Sequence, residues 1–215
     1  KTKDKSKIQN HLHDFVKEDY LIIIKYLEDN GLNEVVSSSW SSRAFVNNNG
    51  NITGEVTTAN NEKIKTRMTF IKQSGDWKIY SIQKQSGHSI TGAKIPISSI
   101  QKTLVHDAMK TFMKSGKEKS MKKFHNYISN FWRSQISVEK LDEIFGSIYQ
   151  AKSDLSFLDN VTPEIENFSI TDNDILIISG HFPTEHISVY YTQKFIYEGI
   201  QWKLFGFEYN AKKPE

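Results

Sequence analysis

Phe195-Ile196-Tyr197-Glu198-Gly199-Ile200-Gln201-Trp202-Lys203-Leu204 is the stretch that decides the fold, because Phe70-Ile71-Lys72-Gln73-Ser74-Gly75-Asp76-Trp77-Lys78-Ile79 repeats it. The spacing from Phe to Trp is the same in both, with a glycine in the turn between. An aromatic-aliphatic pair, a glycine-bearing turn and a Trp-Lys-aliphatic triplet read as a β-hairpin. Upstream of each lies a second matched block, Ile52-Thr53-Gly54-Glu55-Val56 and Ile178-Ser179-Gly180-His181-Phe182. Two matched blocks in the same order argue for an internal duplication.

Between the blocks the hydrophobic period is two. Ile64, Met68 and Phe70 alternate with Lys63, Lys65, Arg67 and Thr69, the pattern of an antiparallel strand with one face dry and one wet. In the later copy Val189, Tyr191 and Phe195 point inward by the same count, and Ser188, Thr192 and Lys194 outward. Strands are expected at residues 52–58, 64–72 and 77–83, then at 164–170, 175–182, 187–197 and 201–209. Asn47-Asn48-Asn49-Gly50 and Asn60-Asn61 are turns. Residues 37–42, serines around Trp40, show no period.

Each copy opens on a helix. Ser6 and Gln9 have the form of a capping box, Ile8, Leu12, Phe15, Ile22 and Tyr26 share one helical face, and Asn30-Gly31 stops the run. Ser98-Ser99-Ile100-Gln101 repeats that opening, and His106-Asp107 echoes His13-Asp14. Only the second copy has further helical signals before its strands. Met121, Phe124, Ile128 and Phe131 form a stripe, then Ser137 caps a helix holding Leu141, Phe145 and Ile148. The fold class is therefore α+β, with helix or helices packed on a curved antiparallel sheet in each of two tandem domains. Residues 1–7 are a tether, 8–86 an abbreviated domain, 87–97 a Gly/Pro-bearing linker and 98–210 a complete domain ending near Tyr209.

Composition sets the outer limits. At 215 residues, 37% hydrophobic and 12% aromatic, the chain can bury a core in each half. A net charge of +3 is too small to argue for nucleic acid. Cysteine is absent, which excludes disulfides, thiol catalysis and thiolate metal sites together. The longest apolar run, residues 21–24, cannot span a membrane. The chain opens on Lys1 rather than Met, so any signal or membrane anchor is expected upstream. Abundant Lys, Asn, Ile and Ser point to an AT-rich bacterial genome.

Helices followed by a curved sheet, and the Phe-Ile, turn, Trp-Lys-Ile/Leu ending, resemble the NTF2-like (cystatin-like, cone-shaped α+β) superfamily. The stretch from Phe124 to Phe145, with Ser129, Trp132, Gln135 and Leu141, is similar to the second and third helices of small exported bacterial members. The resemblance implies a cone between helices and sheet. It also implies an extracytoplasmic place, periplasmic or at the cell surface, since similar modules serve secretion and conjugation machinery. The superfamily holds isomerases, dehydratases, hydrolases and noncatalytic scaffolds, so the fold does not choose an activity.

Candidate chemistry is sparse. An isomerase or hydrolase needs a tuned carboxylate or histidine opposite a hydroxyl donor; the pocket-lining candidates in the second domain are His106 (beside Asp107), Tyr191, Gln193 and His181. No acid/base pair has a spacing that such chemistry demands, and the plainer reading makes these residues core lining and helix surface. His11 and His13 point to different helix faces, and His181 with His186 has no third partner, so no metal and no cofactor are expected. Lys114, Lys117, Lys119, Lys122 and Lys123, following Lys110, could hold an anion or a membrane surface; the alternative is a solvated helix end interrupted by Glu118. The leading expectation is a noncatalytic extracytoplasmic binding or assembly module that takes a protein or peptide partner on its sheet faces or in the interdomain cleft. The alternatives are a small-molecule isomerase or hydrolase taking a small apolar ligand, and an anion or membrane-surface binder. No nucleic-acid partner is expected.

Overall fold

The computed structural model describes residues 5–85, 95–149, 155–171, 173–184 and 187–212. The start of the expected tether, most of the expected linker, His186 and the last three residues lie outside them. The chain divides into two compact units, Lys1–Lys94 with Tyr197–Gln201, and Ile95–Ile196 with Trp202–Glu215. Each unit is α+β and holds one four-stranded sheet whose strands neighbour each other in chain order.

The first unit carries two short helices, α1 (Asp14–Lys17) and α2 (Tyr20–Asp29), then β1 (Val35–Val46), β2 (Asn49–Thr58), β3 (Lys63–Gln73) and β4 (Asp76–Lys84). The second carries α3 (Ser98–Lys117), α4 (Lys122–Tyr127), α5 (Asn130–Arg133) and α6 (Val138–Phe145). Its sheet is made of β5 (Glu164–Ile170), β6 (Leu176–Phe182), β7 (Ser188–Glu198) and β8 (Gln201–Lys212), of which Tyr197–Gln201 belongs to the first unit. Alternation places most of these strands in the sequence. β1 is an addition: its serines show no period, and pairing with β2 makes it a strand. β8 runs on past Tyr209 to Lys212, where the sequence suggests a tail.

The two sheets share a register. Gly54 in β2 pairs with Thr66, four residues before Phe70; Gly180 in β6 pairs with Tyr191, four residues before Phe195. Each glycine also faces a bulge in the preceding strand, between Trp40 and Ser42 in one sheet and between Ile165 and Asn167 in the other. A Cβ on Gly54 would lie 2.2 Å from the Ser39 carbonyl oxygen, and one on Gly180 would lie 1.9 Å from that of Glu164. The bulge presses backbone onto backbone, and only glycine leaves room. Trp77 and Trp202 each stand second in the last strand of their sheet.

The opening helix is broken where the period predicts one continuous run. A 3-10 turn covers Lys5–His11, then Leu12 leaves the helical path to bridge Ile79 of β4, and the His13 N–H donates to the Ile79 carbonyl at 2.9 Å. His13 restarts the helix by accepting the Phe15 N–H on Nδ1 at 3.2 Å. As a result Val16 and Ile23 are buried while Ile22 is exposed. In the second unit Ile97, not a serine, stands at the N-cap of α3, and Gln101 Nε2 donates to the Pro96 carbonyl at 2.7 Å, so the expected capping box does not form. The Met121–Phe131 stripe divides into α4 and α5 at Ser129. Its N–H donates to the Leu204 carbonyl at 2.8 Å, and its hydroxyl caps α5 by accepting the Trp132 N–H. Ser137 caps α6 as its sequence suggests, accepting the Lys140 N–H at 3.2 Å.

Packing differs sharply between the units. In the second, Phe112, Phe124, Phe182, Phe195, Leu141, Leu176 and Ile178 are sealed from water in one core. Phe112 meets Phe124 edge-on at 5.3 Å and Phe145 at 5.1 Å. In the first, the buried apolar set is Leu12, Val16, Ile23, Val56, Ile64, Tyr80 and Ile82. Arg67, expected on a wet face, is buried with Ser81 and Gln83, because that face of β3 and β4 is covered as well. Within this unit Tyr80 donates to the buried Glu198 carboxylate at 3.0 Å; burial, then the neighbouring charge, pushes the phenol well above its ordinary range. Ser188, expected outward, is buried beside Val189 where β7 enters the core.

Candidate functional site

The second unit is where a cone pocket would be sought, and its interior is filled. Tyr191 and Gln193 do point inward from β7, but as core members. The Tyr191 hydroxyl donates to the Glu164 carbonyl at 2.9 Å, and burial raises its pKa well above the ordinary phenol range. Gln193 is fully buried, with Nε2 donating to the Val105 carbonyl of α3 at 3.3 Å. Beside them stand Phe195, Phe182 and Leu176, all without exposed surface. Neither His106 nor His181 joins them. His106 Nε2 contacts the Asp159 carbonyl at 3.0 Å on the side of α3, and His181 faces outward from β6 with Nδ1 2.8 Å from Glu166. The four candidates are therefore not brought together around a common space.

A groove of about 310 Å³ lies on the second sheet, lined by residues of all four strands, Glu166, Ser179, Tyr190, Thr192 and Glu208 among them. Three of its lining groups are engaged by neighbouring side chains. His181 pairs with Glu166, Lys194 lies 3.4 Å from Glu208, and the Lys212 ammonium stands 5.5 Å above the Tyr190 ring. Tyr191 borders it, the one sequence candidate that does. Among the described residues no group of three or more His, Asp or Glu side chains is arranged to hold a metal ion.

The lysine run falls at the C-terminal end of α3 and the turn into α4. Lys114 and Lys117 lie in the last turn of α3, where a cation complements the helix dipole, and Lys123 pairs with Glu118. Lys119, Lys122 and Lys123 are exposed.

The first unit offers a different surface. On the face of its sheet that carries Val56 and Ile64, the end bearing those two residues is buried, and the Tyr26 hydroxyl of α2 accepts the Lys84 N–H at 2.8 Å. Toward the β1–β2 hairpin that face continues through Ile52, Met68 and Phe70, half-buried, to Phe45 and Trp77, which are 50% and 40% exposed. Cross-strand pairing fixes this arrangement: Phe45 pairs with Gly50, and Gly50 with Phe70. A Cβ on Gly50 would fall 2.4 Å from the Phe45 ring, so the glycine lets that ring lie across β2. There it meets Trp77 at 5.0 Å, nearly edge-on. All of β1 except Trp40 is exposed, Val35, Val36 and Val46 included. The sequence points inward with Phe70, but Trp40 lies in the stretch without a period, and Phe45 lies between that stretch and the first expected strand.

No protein-family model and no curated protein matches the chain. A solved structure described as "Ntf2 like protein involved in plasmid conjugation" is similar over 98% of this chain and 95% of its own, at 10% sequence identity and a TM-score of 0.28. A likeness at that score supports no argument about fold or function. Among the described residues no helix is long and apolar enough to cross a membrane.

Proposed function

We propose that the chain is a tandem NTF2-like protein and a noncatalytic binding or assembly module, taking a protein or peptide partner on the sheet face of its first unit. The tandem reading is supported by the shared register of the two sheets, bulge-facing glycines and second-position tryptophans included. The binding reading rests on one observation above the rest, the aromatic face of Phe45, Phe70 and Trp77 left open to solvent on a sheet whose other end is covered. Contiguous exposed apolar surface of this kind marks an interaction site. Against an isomerase or hydrolase stands the filled interior of the second unit, where Phe112, Phe124, Phe182 and Phe195 occupy the space a substrate would need. An extracytoplasmic place for the module rests on the resemblance alone.

The test is positional photocrosslinking in the native cell. A photoreactive residue at Phe45 or Trp77 should give a discrete protein adduct, while one at Ile144, exposed on α6, should not. Adducts from Ile144 alone, or none from the first sheet, would contradict the reading.

A further inference from the structure

The second unit shows what the open face of the first unit lacks. At matched register Leu176 answers Gly50, Ile178 answers Ile52, and Phe195 answers Phe70; all three residues of the second sheet have no exposed surface. Their cover comes from α3 and from the helical segment α4–α6, which contributes Phe124, Ile128 and Leu141 to the same core. That segment lies between α3 and β5. At the matching point of the first unit, residues 30–34 alone join α2 to β1. Among the described residues, the first sheet thus keeps a matching apolar face without a counterpart of the α4–α6 segment.

Charge adds a second constraint. Cross-strand pairing puts Arg43 beside Ile52 and Met68, and Lys72 beside Trp77, on this same face. Both are exposed. Among the described strand residues, Lys84 is the third charged side chain on the face, paired with Glu62 at 3.7 Å, and no carboxylate shares it. A ligand lying across the aromatic patch meets cations at its margins.

We infer that the occupant of this face is an amphipathic helix from a partner protein, with an aromatic or aliphatic stripe flanked by carboxylates, seated where α4–α6 sit on the second sheet. The inference rests on the sheet-face reading above and narrows it. A stripe at i, i+3, i+4 and i+7 fills the gap beside Phe45, Phe70 and Trp77, and Glu or Asp on its flanks pairs with Arg43 and Lys72.

The test uses the full chain and three fluorescent peptides of about 18 residues, roughly five helical turns. One carries a Leu/Phe stripe with Glu flanks, one the same stripe with Lys flanks, and one is an alternating strand-forming peptide. In fluorescence anisotropy the Glu-flanked helix should bind about tenfold or more tighter than the Lys-flanked one at low salt, the two pairings amounting to at least one decade of affinity. Arg43→Glu with Lys72→Glu should invert that preference. Phe45→Ser with Trp77→Ser should abolish binding while the urea midpoint stays near that of the parent chain. Equal binding of the two helices, binding of the strand peptide alone, or no binding of the Glu-flanked helix would overturn the inference. If photocrosslinking at Phe45 still yields a protein adduct in that event, the sheet-face reading stands and only the helix falls.

Discussion

The two sheets have matched registers and opposite fates. Phe195 and Phe70 stand at equivalent points of the third strand, yet one is sealed in a core and the other half-open to water. Strand alternation is the same in both, so alternation did not decide the difference. The described units differ in the helical segment between α3 and β5, which contributes to the core of the second, whereas residues 30–34 alone join α2 to β1 in the first. An inward-pointing apolar residue becomes core only when something covers it; uncovered, it stays open to water.

The largest effect expected from that contrast is in the core. Phe195→Ala should destabilise the second unit by about 3–5 kcal/mol, transfer and cavity terms together. Phe70→Ala should cost roughly 1 kcal/mol, since less contact is lost. Urea denaturation followed by far-UV circular dichroism compares the two directly, and similar losses would break the contrast.

A smaller effect sharpens the likeness instead. Gly54→Ala and Gly180→Ala each drive a methyl into a carbonyl of the facing bulge, so both should destabilise by about 1–3 kcal/mol. A large loss at one and none at the other would mean that the bulges are not equivalent.

The smallest expected effect concerns the broken opening helix. Burial outweighs the Asp14 charge and lowers the His13 pKa below its ordinary value, while Nδ1 accepts the Phe15 N–H in the neutral form. The unfolded chain therefore takes up this proton first. The cap's contribution is fully present above the free imidazole pKa of about 6.5 and is lost as pH falls from there through the lower folded value. Comparing the parent with His13→Asn in urea melts between neutral pH and pH of about 5 should show a steeper decline in the parent. Equal slopes would remove His13 from the account.

Much of the architecture was legible in the sequence for local reasons. Period two located β3 and β7, the repeated blocks placed β2, β4, β6 and β8 around them, and asparagine and glycine marked turns. The failures have non-local causes. Nothing near Leu12 signals that it will leave a helix to bridge Ile79, and the serines of β1 become a strand only by pairing with β2. The site was less legible still. His106, His181, Tyr191 and Gln193 drew attention as chemical side chains, yet they cap, pair or pack rather than converge. The informative signal was the short connection between α2 and β1: among the described residues of the first unit, no helical segment there answers α4–α6, and Phe45 and Trp77 stay exposed.

Because the chain has no cysteine, introduced thiols report the central contrast cleanly. Ile52→Cys and Ile178→Cys place a thiol at matched positions of the two sheets, and maleimide labelling in the native state measures how open each is. The thiol on the first sheet should label many times faster, and the one on the second sheet should label only as fast as its unit unfolds. Equal protection at the two positions would contradict an open first face and, with it, the proposed docking surface.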